Sequence, residues 1–527
     1  MPSAGSDAEV QSAAAGARLE PGQLEARFPW GRFLAEGAFK QVYHVWNSQH
    51  SRQEAISVMD LQAIASDGCG ESMAVLAQEI QVGMLASALV RHRICPHFVE
   101  TFGFFNCAEM PAPTLWGTAE DPAPRGKMPV GRRGGRKAAA AAKPRYQFIG
   151  MELCELGDVE GYLRELPRGV LPVEDTVAVL FQMLFSIFAA RHEYRLRHYD
   201  LKLLNFLVSR RAKVPCAAVE QTDQTVSVVQ CGIDEHVFDV RMSANHAVLI
   251  KLADFGTSDV NSDTFNEPIG VDHFTTLENT APELLLHGSQ AVQGYALDTF
   301  AAGLAALHLF TGQAPYEELM DEVQCPAKLR VELRKAWSRA PQFDVVVATN
   351  KRLMDSSSDE SDEDEDNTLY NTLYRYFVLL GVPGQSGVDS NSAAEHLQES
   401  SIWRAAVQVL VPSTVRGKTR KGQDAAVISK FRTDQAKFSI ATGTAPCMVR
   451  ARGRMAAIPG ALELVQSMLE FLPERRPTML RLLKSEVFSG LRVAHAMSQP
   501  HVAGYTCFYR GAHADGEYSS RPPLLDV

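Results

Sequence analysis

The sequence lacks the features that mark secreted and membrane proteins. Its nine cysteines include no C-x-x-C pair and no metal-type spacing, and their number is odd, which argues against a disulfide framework. The start of the chain lacks the charged-then-apolar pattern of a signal peptide. No apolar run approaches the length of a membrane span. We therefore expect a protein of the cytoplasm or nucleus, without a membrane span.

The sequence also lacks an excess of basic residues. Its formal net charge is −10 over 527 residues, and the acidic run 355–366 (DSSSDESDEDED) alone supplies eight carboxylates. Without that run the charge would be −2. Because the rest of the chain is nearly neutral, overall charge gives no indication of nucleic-acid binding. Hydrophobic residues make up 46% of the chain, enough for a large core.

Changes in composition separate a structured body from its surroundings. The start of the chain is rich in Ala, Ser and Gly, and we predict disorder over residues 1–25. One domain is predicted over residues 26–490, with a small lobe at 26–153 and a large lobe at 154–490. Residues 491–527 are predicted to form a C-terminal tail.

Three segments interrupt this domain as predicted surface insertions. Residues 107–145 are basic and rich in Pro, Gly and Ala. Residues 211–245 suggest a hairpin. Residues 319–455 are long and mixed and contain the acidic run 355–366, which we interpret as a solvated loop. An autoinhibitory contact of that run with basic segments is a weaker alternative.

Two short motifs of the large lobe suit phosphoryl transfer. In HYDLKLLNFLV, Asp200 can accept the proton of an attacking hydroxyl, Lys202 can neutralise a transferred phosphate, and Asn205 can hold a metal ion. In LADFG, the carboxylate of Asp254 can bind a Mg²⁺ ion that bridges two phosphates. Each motif is weak in isolation, because capping aspartates and Asp-Phe-Gly turns are common.

Further motifs follow these two in order. They are Ala281-Pro282-Glu283, DTFAAG from Asp298, and PERRPT around Arg476. Together the motifs resemble the signature set of the eukaryotic protein kinases. The resemblance implies an α+β, two-lobed fold, with a small antiparallel-sheet lobe above a larger and mainly helical lobe. It also implies that ATP and Mg²⁺ bind between the lobes, and that the γ-phosphoryl group passes to a serine or threonine of a protein substrate.

The resemblance gives individual residues roles. Asp200 would be the catalytic base and Lys202 the phosphate-contacting lysine, while Asn205 and Asp254 would bind Mg²⁺. Thr276 matches the substrate-loop threonine of the Ser/Thr kinases. The ATP-binding residues, including the gatekeeper Met151 and the adenine-binding hinge, would be Gly37, Lys40, Val42, Ala55, Glu79, Met151, Glu152, Cys154 and Leu207. Glu283 would pair with Arg476 to brace the large lobe.

One lysine of the family is missing from its usual place. The third small-lobe strand of the family carries a phosphate-binding lysine, whereas the strand EAISVMD has Ser57 there. The glycine-rich loop reads AEGAFKQV, with Gly37 kept and Lys40 in place of the third glycine. Side chains alternate along a strand, so Lys40 faces the cleft with Val42, as Ala55 does with Ser57 on the next strand. Lys40 can therefore reach the place that Ser57 leaves empty.

This arrangement is similar to that of the WNK ("with no lysine") kinases. They carry G-x-F-K-x-V-Y on the second strand and a cysteine at the third-strand position, where this chain has GAFKQVY and Ser57. One assignment stays open: Glu79 is the candidate to pair with the phosphate lysine, and Glu71 is its competitor. In a further departure from the family, Tyr199 replaces the usual arginine before Asp200, which makes control through a phosphate bound there less expected.

A rival interpretation is a pseudokinase that acts as a scaffold or allosteric regulator. The serine at position 57, the thinned glycine loop and Tyr199 support it. The retained Asp200, Lys202, Asn205 and Asp254 favour an active kinase, because a decayed enzyme has no physical need for the base and both metal ligands. No motif indicates an oligomeric state.

Overall fold

The computed structural model describes most of the chain. The described residues are 17–36, 40–66, 71–123, 145–210, 225–268, 279–313, 315–339, 362–382, 400–411, 414–415, 418–419, 425–493 and 506–509. A sheet-rich part comes first and a larger helical part follows it. The predicted α+β, two-lobed fold is therefore confirmed.

The small lobe is built on one sheet. Its strands are β1 (Ala17–Leu19), β2 (Gly31–Glu36), β3 (Lys40–Asn47), β4 (Arg52–Asp60), β5 (Thr101–Cys107) and β6 (Tyr146–Met151). They lie in the order β1-β5-β6-β4-β3-β2, and all neighbours are antiparallel except β1 and β5. The family's second and third strands are thus β3 and β4 here, because β1 is an additional N-terminal strand.

The two faces of this sheet pack against different partners. The helices of the small lobe are α1 (Pro21–Arg27), α2 (Leu61–Ser66), α3 (Glu71–Arg91) and α4 (Pro113–Trp116). Met59 and Ile149 on one face contact Leu76 and Ile80 of α3. The other face buries an aromatic cluster of Phe28, Phe105, Trp116 and Phe148. The position of α3 on the first face decides which side chains can meet it.

Two predicted boundaries of the small lobe are wrong. The prediction of disorder over residues 1–25 fails for residues 17–25, because β1 pairs with β5 and Leu24 of α1 is only 1% exposed. The predicted insertion 107–145 fails for residues 107–123, where Trp116 is buried and its Nε1 donates to the Phe28 carbonyl at 3.1 Å. In both segments a few buried apolar residues lie among polar ones, so the overall composition does not reveal that the segment packs against the core. Residues 1–16 and 124–144 lie outside the described residues.

The large lobe combines helices with short strands. Its strands are β7 (Phe206–Arg210), β8 (Thr225–Ile233), β9 (His236–Ser243), β10 (Val248–Leu252), β11 (Thr414–Val415), β12 (Lys418–Thr419), β13 (Arg492–Val493) and β14 (Thr506–Tyr509). Its helices are α5 (Val159–Glu165), α6 (Val173–Tyr194), α7 (Pro282–His287), α8 (Tyr295–Thr311), α9 (Pro315–Glu322), α10 (Ala327–Trp337), α11 (Asp362–Leu380), α12 (Ser401–Leu410), α13 (Ala425–Phe438), α14 (Pro446–Met455), α15 (Ala461–Met468) and α16 (Met479–Leu483).

Helix α6 is the central helix of the large lobe. It is 22 residues long and, by length and composition alone, apolar enough to cross a membrane, so the prediction that no run approaches that length is wrong. The span that meets this test is 89% buried within the protein. Core helices of large domains have the same composition, and this packing explains the apolar run.

The hairpin interpretation of residues 211–245 is confirmed for its described part. Strands β8 and β9 pair antiparallel, and Phe238 of β9 packs against Phe181 of α6 with ring centroids 4.9 Å apart. Strands β13 and β14, from the predicted tail 491–527, add to this hairpin in the order β13-β9-β8-β14. The tail is therefore partly structured, because the open edges of the hairpin offer unpaired backbone groups.

Residues 319–455, predicted to be a surface insertion, contribute side chains to the core. Tyr374, Tyr376 and Phe377 of α11 are fully buried, and the Phe377 ring stacks on Phe471 at 5.5 Å. Helix α11 begins within the acidic run, so the predicted loop is wrong for residues 362–366, which are helical. Residues 355–361 lie outside the described residues.

Candidate active site

Lys40 connects the two lobes through two ion pairs. Its Nζ lies 3.0 Å from Oε1 of Glu79 on α3 and 2.6 Å from Oδ1 of Asp254, just after β10. The structure thus brings together three residues that are far apart in the sequence. Of the two glutamates left open above, Glu79 makes this contact, and the side chain of Glu71 lies outside the described residues.

The register of β3 and β4 explains this contact. Lys40 pairs with Met59, and Val42 pairs with Ser57. Paired residues of a ladder point to the same face, so all four face α3 and the cleft, as alternation predicts. Ser57 is 1% exposed, and its Oγ has no hydrogen-bond partner among the described residues. The small side chain at 57 leaves the pairing with Glu79 to Lys40.

The charges around Lys40 favour its protonated form. Burial opposes the ammonium, but the carboxylates of Glu79 and Asp254 outweigh that effect and raise the pKa of Lys40 above its ordinary value. Burial likewise opposes the Asp254 carboxylate, whereas Lys40, His198 and Lys202 lower the pKa of Asp254 overall. Lys40 and Asp254 are therefore both charged at neutral pH.

Asp200, Lys202 and Asn205 lie together in the loop between α6 and β7. Asn205 Nδ2 donates to Oδ2 of Asp200 at 3.0 Å and to its backbone carbonyl at 2.7 Å. Lys202 Nζ lies 2.9 Å from the same Oδ2. A single 3₁₀ turn over Leu203–Asn205 brings the asparagine back to the aspartate. Asp200 is thus oriented by both residues that the motif predicts beside it.

A buried aspartate of α8 holds the backbone of this loop. The Asp298 carboxylate accepts from the backbone N–H of His198 at 2.9 Å and of Tyr199 at 2.8 Å. Arg191 lies 3.4 Å from the same carboxylate. Because Asp298 is fully buried, these hydrogen bonds offset the cost of removing its carboxylate from water. Tyr199 has a φ of 65°, a strained conformation that these bonds maintain.

Asp254 also has a left-handed backbone, with a φ of 63°. For a residue other than glycine this costs about 1–2 kcal/mol. Ala253 next to it is fixed on both sides: its N–H donates to the Asn205 carbonyl at 2.9 Å, and its carbonyl lies 3.1 Å from His198 Nε2. Phe255 is buried. The conformation turns the Asp254 carboxylate toward Lys40.

The predicted hinge follows β6. Met151 pairs with Ala55 of β4, and Cys154 is buried, which raises the pKa of its thiol to about 12. Glu152 is held by an ion pair to Lys251 of β10 at 2.8 Å. Lys251 is only 4% exposed and also donates to the carbonyl of Phe98 at 3.3 Å. This contact ties the hinge to the large lobe.

The remaining predicted residues are placed as follows. Val42 is half-buried on the cleft face of β3, and Leu207 is half-buried on β7, opposite Lys251. Gly37 and Thr276 lie outside the described residues, so the glycine loop and the substrate loop stay predictions.

The predicted brace of the large lobe is confirmed. Arg476 donates from both terminal nitrogens to Glu283, at 2.7 and 2.6 Å. This bidentate geometry is the strongest form of an arginine–carboxylate pair. It fixes α7, which begins within the Ala-Pro-Glu motif, to the segment just before α16.

Sequence reasoning missed three residues that hold the site. Lys251 contacts the hinge, Arg197 pairs with Asp259 at 2.8 Å, and Gln293 accepts from the Tyr199 hydroxyl at 2.8 Å. Lys251 could have been found, because a charge inside the otherwise apolar strand VLIKL needs a buried partner. Arg197 lies among other charged residues and gives no such signal, and the contacts of Gln293 come from the tertiary fold.

The residues of the cleft fit a magnesium–nucleotide complex. Mg²⁺ prefers oxygen ligands and is usually held by one or two carboxylates together with substrate phosphates. Asp254 supplies a carboxylate, and because Nδ2 of Asn205 is used by Asp200, its Oδ1 is the atom suited to a metal. Among the described residues no group of three or more His, Cys, Asp and Glu could hold a metal ion by itself. Lys40 and Lys202 supply positive charge for phosphates.

The chain was compared with protein-family models and with curated proteins. A family model described as "Protein kinase domain" matches residues 136–488, about two thirds of the chain. The match includes Asp200, Asn205 and Asp254 but begins after β3 and β4, which carry Lys40 and Ser57. A search of curated proteins gave no match.

Proposed function

Because the chain belongs to the protein kinase family, we propose that it transfers the γ-phosphoryl group of ATP to serine or threonine hydroxyls of protein substrates, with Lys40 as the phosphate-binding lysine. The observation that carries the proposal is the bridge from Lys40 to Glu79 and Asp254. Catalytic kinases need a lysine paired with the helix glutamate and a metal-binding aspartate in place at the same time. Here one ammonium meets both carboxylates.

Each of the cleft residues has a different role in such a transfer. Lys40 binds nucleotide phosphates, and Glu79 keeps its ammonium in position. Asp200, oriented by Asn205 and Lys202, accepts the proton of the substrate hydroxyl. A magnesium ion held by Asn205 and Asp254 would neutralise charge on the phosphates. Catalysis of this kind depends on positioning and electrostatics rather than on a covalent intermediate.

Two finer parts of the proposal rest on other observations. Specificity for serine and threonine is supported by the resemblance of Lys202 and Thr276 to the Ser/Thr kinases. A cytoplasmic or nuclear location is supported by four free thiols in the described part of the chain, because reducing compartments keep thiols unpaired. These cysteines are Cys107, Cys154, Cys325 and Cys447.

A transfer assay with a matched pair of variants tests the proposal. The purified chain is incubated with labelled ATP, Mg²⁺ and a generic basic protein, and the labelled amino acids are identified. Asp200→Asn is expected to lower transfer by about 10²–10⁴-fold, the usual contribution of a general base. Asp434→Asn is the control, because Asp434 accepts from Tyr374 at 2.8 Å within the 319–455 segment.

The outcomes separate the proposal from its rival. Label on serine or threonine that depends on Asp200 supports it. Nucleotide binding without any transfer by the wild-type chain would instead favour a pseudokinase scaffold. Label on tyrosine would contradict the specificity while leaving the kinase activity in place.

A further inference from the structure

Arg197 lies beside the catalytic loop and holds the segment that follows Asp254. The activation segment is defined here as residues 254–268, the described part of the chain between the Asp-Phe-Gly and Ala-Pro-Glu motifs. Arg197 is fully buried, and its Nη2 lies 2.8 Å from Asp259 Oδ2 and 2.8 Å from Thr264 Oγ1. The backbones of Arg197 and Asp259 also exchange two hydrogen bonds, of 2.9 and 2.8 Å. The first part of the segment is thus fixed to the catalytic loop.

Tyr199 fixes the last described part of the same segment through Gln293. Its Oη donates to Oε1 of Gln293 at 2.8 Å, and Gln293 Nε2 donates to the Pro268 carbonyl at 3.1 Å. The backbone of Gln293 forms two more bonds, to Glu267 at 2.9 Å and to Asn266 at 3.1 Å. Gln293 is 4% exposed, so water competes little with these contacts.

None of these contacts involves a phosphate. Kinase activation loops are often ordered by new pairs between arginines and a phosphorylated residue. In this chain the charge of Arg197 is already paired with Asp259, and Tyr199 occupies the position before Asp200. Burial raises the pKa of Tyr199 well above its ordinary value, so its phenol stays protonated and can donate to Gln293.

We propose that Arg197 and Tyr199 are positioning residues that order the activation segment through unphosphorylated side chains, so that no phosphate on this segment is needed for activity. The proposal rests on the proposed kinase function where activity is its readout. It implies that the chain is active as synthesised, and that control acts elsewhere than on this segment.

The test compares Tyr199→Phe with Tyr374→Phe in protein treated with phosphatase. Both changes remove one buried phenol hydroxyl, and Tyr374 bonds to Asp434 in α13, away from the cleft. Hydrogen exchange of residues 259–268 and transfer from ATP are measured on the same samples, with the thermal unfolding temperature as a third readout. Thr264→Val, which removes one contact of Arg197, is the second variant in case Tyr199→Phe folds poorly.

The expected result has three parts. Phosphatase treatment leaves the wild-type activity and the protection of residues 259–268 unchanged. Tyr199→Phe increases exchange near Pro268 and lowers kcat about three- to tenfold, as expected for the loss of one hydrogen bond, without a matching change in the ATP KM. Tyr374→Phe changes neither the hydrogen exchange of this segment nor kcat, although it lowers the unfolding temperature about as much as Tyr199→Phe does.

Two results would overturn the proposal. One is a wild-type chain whose segment becomes protected, or whose activity appears, only when it is phosphorylated there. The other is equal exchange in the wild type and Tyr199→Phe. Because hydrogen exchange does not require catalysis, protection in a chain that transfers no phosphate would refute the proposed function and leave this proposal standing.

Discussion

Lys40 Nζ and Glu79 Oε1 lie 3.0 Å apart, although Lys40 belongs to β3 and not to β4, where Ser57 occupies the facing position. The register of β3 and β4 places both residues on the face toward α3. A lysine on the neighbouring strand can therefore reach both this helix and Asp254. This geometry supports the proposal that Lys40 takes the place of the lysine missing at position 57.

Removing the carboxylate of Glu79 should weaken transfer while leaving the chain folded. In Glu79→Gln, Lys40 keeps Asp254 but loses the partner that fixes it to α3. Loss of a hydrogen bond between charged groups costs about 1.5–3 kcal/mol, so we expect kcat/KM to fall about 10- to 100-fold. Glu160→Gln is the control, because Glu160 is 15% exposed, close to the 14% of Glu79, and pairs with Arg164 on the surface of α5. Equal kcat/KM for both variants would contradict the expected role.

Nucleotide affinity should not depend on the titration of Lys40 near neutral pH. Its raised folded-state pKa means that its contribution to stability is fully present below its ordinary value of 10.5 and is lost only as pH rises through the folded pKa. Asp254 has a lowered pKa, so its contribution is present above 3.8 and is lost as pH falls through the folded pKa. Both groups therefore keep their charge between about pH 6 and about pH 9. Calorimetric titration with nucleotide over this range should show no change in affinity that arises from the titration of either group. A transition that disappears in Lys40→Arg would contradict this.

The brace between Glu283 and Arg476 should be important for stability. The Arg476 side chain is fully buried, and loss of the Glu283 carboxylate leaves its charge with only backbone carbonyls as partners. Breaking such a pair costs about 3–5 kcal/mol. Glu283→Gln should lower the thermal unfolding temperature clearly, whereas Glu332→Gln, which breaks an exposed pair with Lys335, should change it little. Similar temperatures for the two variants would show that the brace contributes little.

The N-terminal helix should stabilise the small lobe. Leu24 is 1% exposed beneath the sheet, and the exposed Leu34 on β2 offers a matched control at 45%. Truncation of a buried leucine costs about 2–5 kcal/mol. We expect Leu24→Ala to lower the unfolding temperature and Leu34→Ala to leave it nearly unchanged. An equal effect of the two would mean that α1 does not pack as described.

The proposed catalytic residues were predictable because their chemistry depends on local spacing. Asp200, Lys202 and Asn205 lie within six consecutive residues, so the sequence alone predicts that their side chains are close together. Lys40 was predictable from strand alternation. The glutamate that pairs with Lys40 was predicted only as one of two, Glu79 or Glu71. The position of a residue in a helix predicts the helix face on which it lies, but not which turn of the helix packs against the sheet.

The missed features arise from contacts between distant segments. Trp116 lies at the edge of a Pro- and Gly-rich stretch, and only its burial against Phe28 shows that it belongs to the core. Strand β14 gains its partner from β8, far away in the sequence. Gln293 acts through backbone groups of Glu267 and Pro268, which no residue pattern reveals.

The central claim is that Lys40 provides the phosphate-binding charge, and one assay tests it most directly. Mg²⁺-dependent transfer from labelled ATP is measured for Lys40→Ala, Ser57→Ala and Lys484→Ala. Lys484 is the matched control, because it is 30% exposed against 24% for Lys40 and pairs with Asp234 at 2.6 Å outside the cleft. We predict that Lys40→Ala loses transfer, while Ser57→Ala and Lys484→Ala keep it. Transfer that survives in Lys40→Ala would contradict the account, because the charge on the phosphates would then come from another residue.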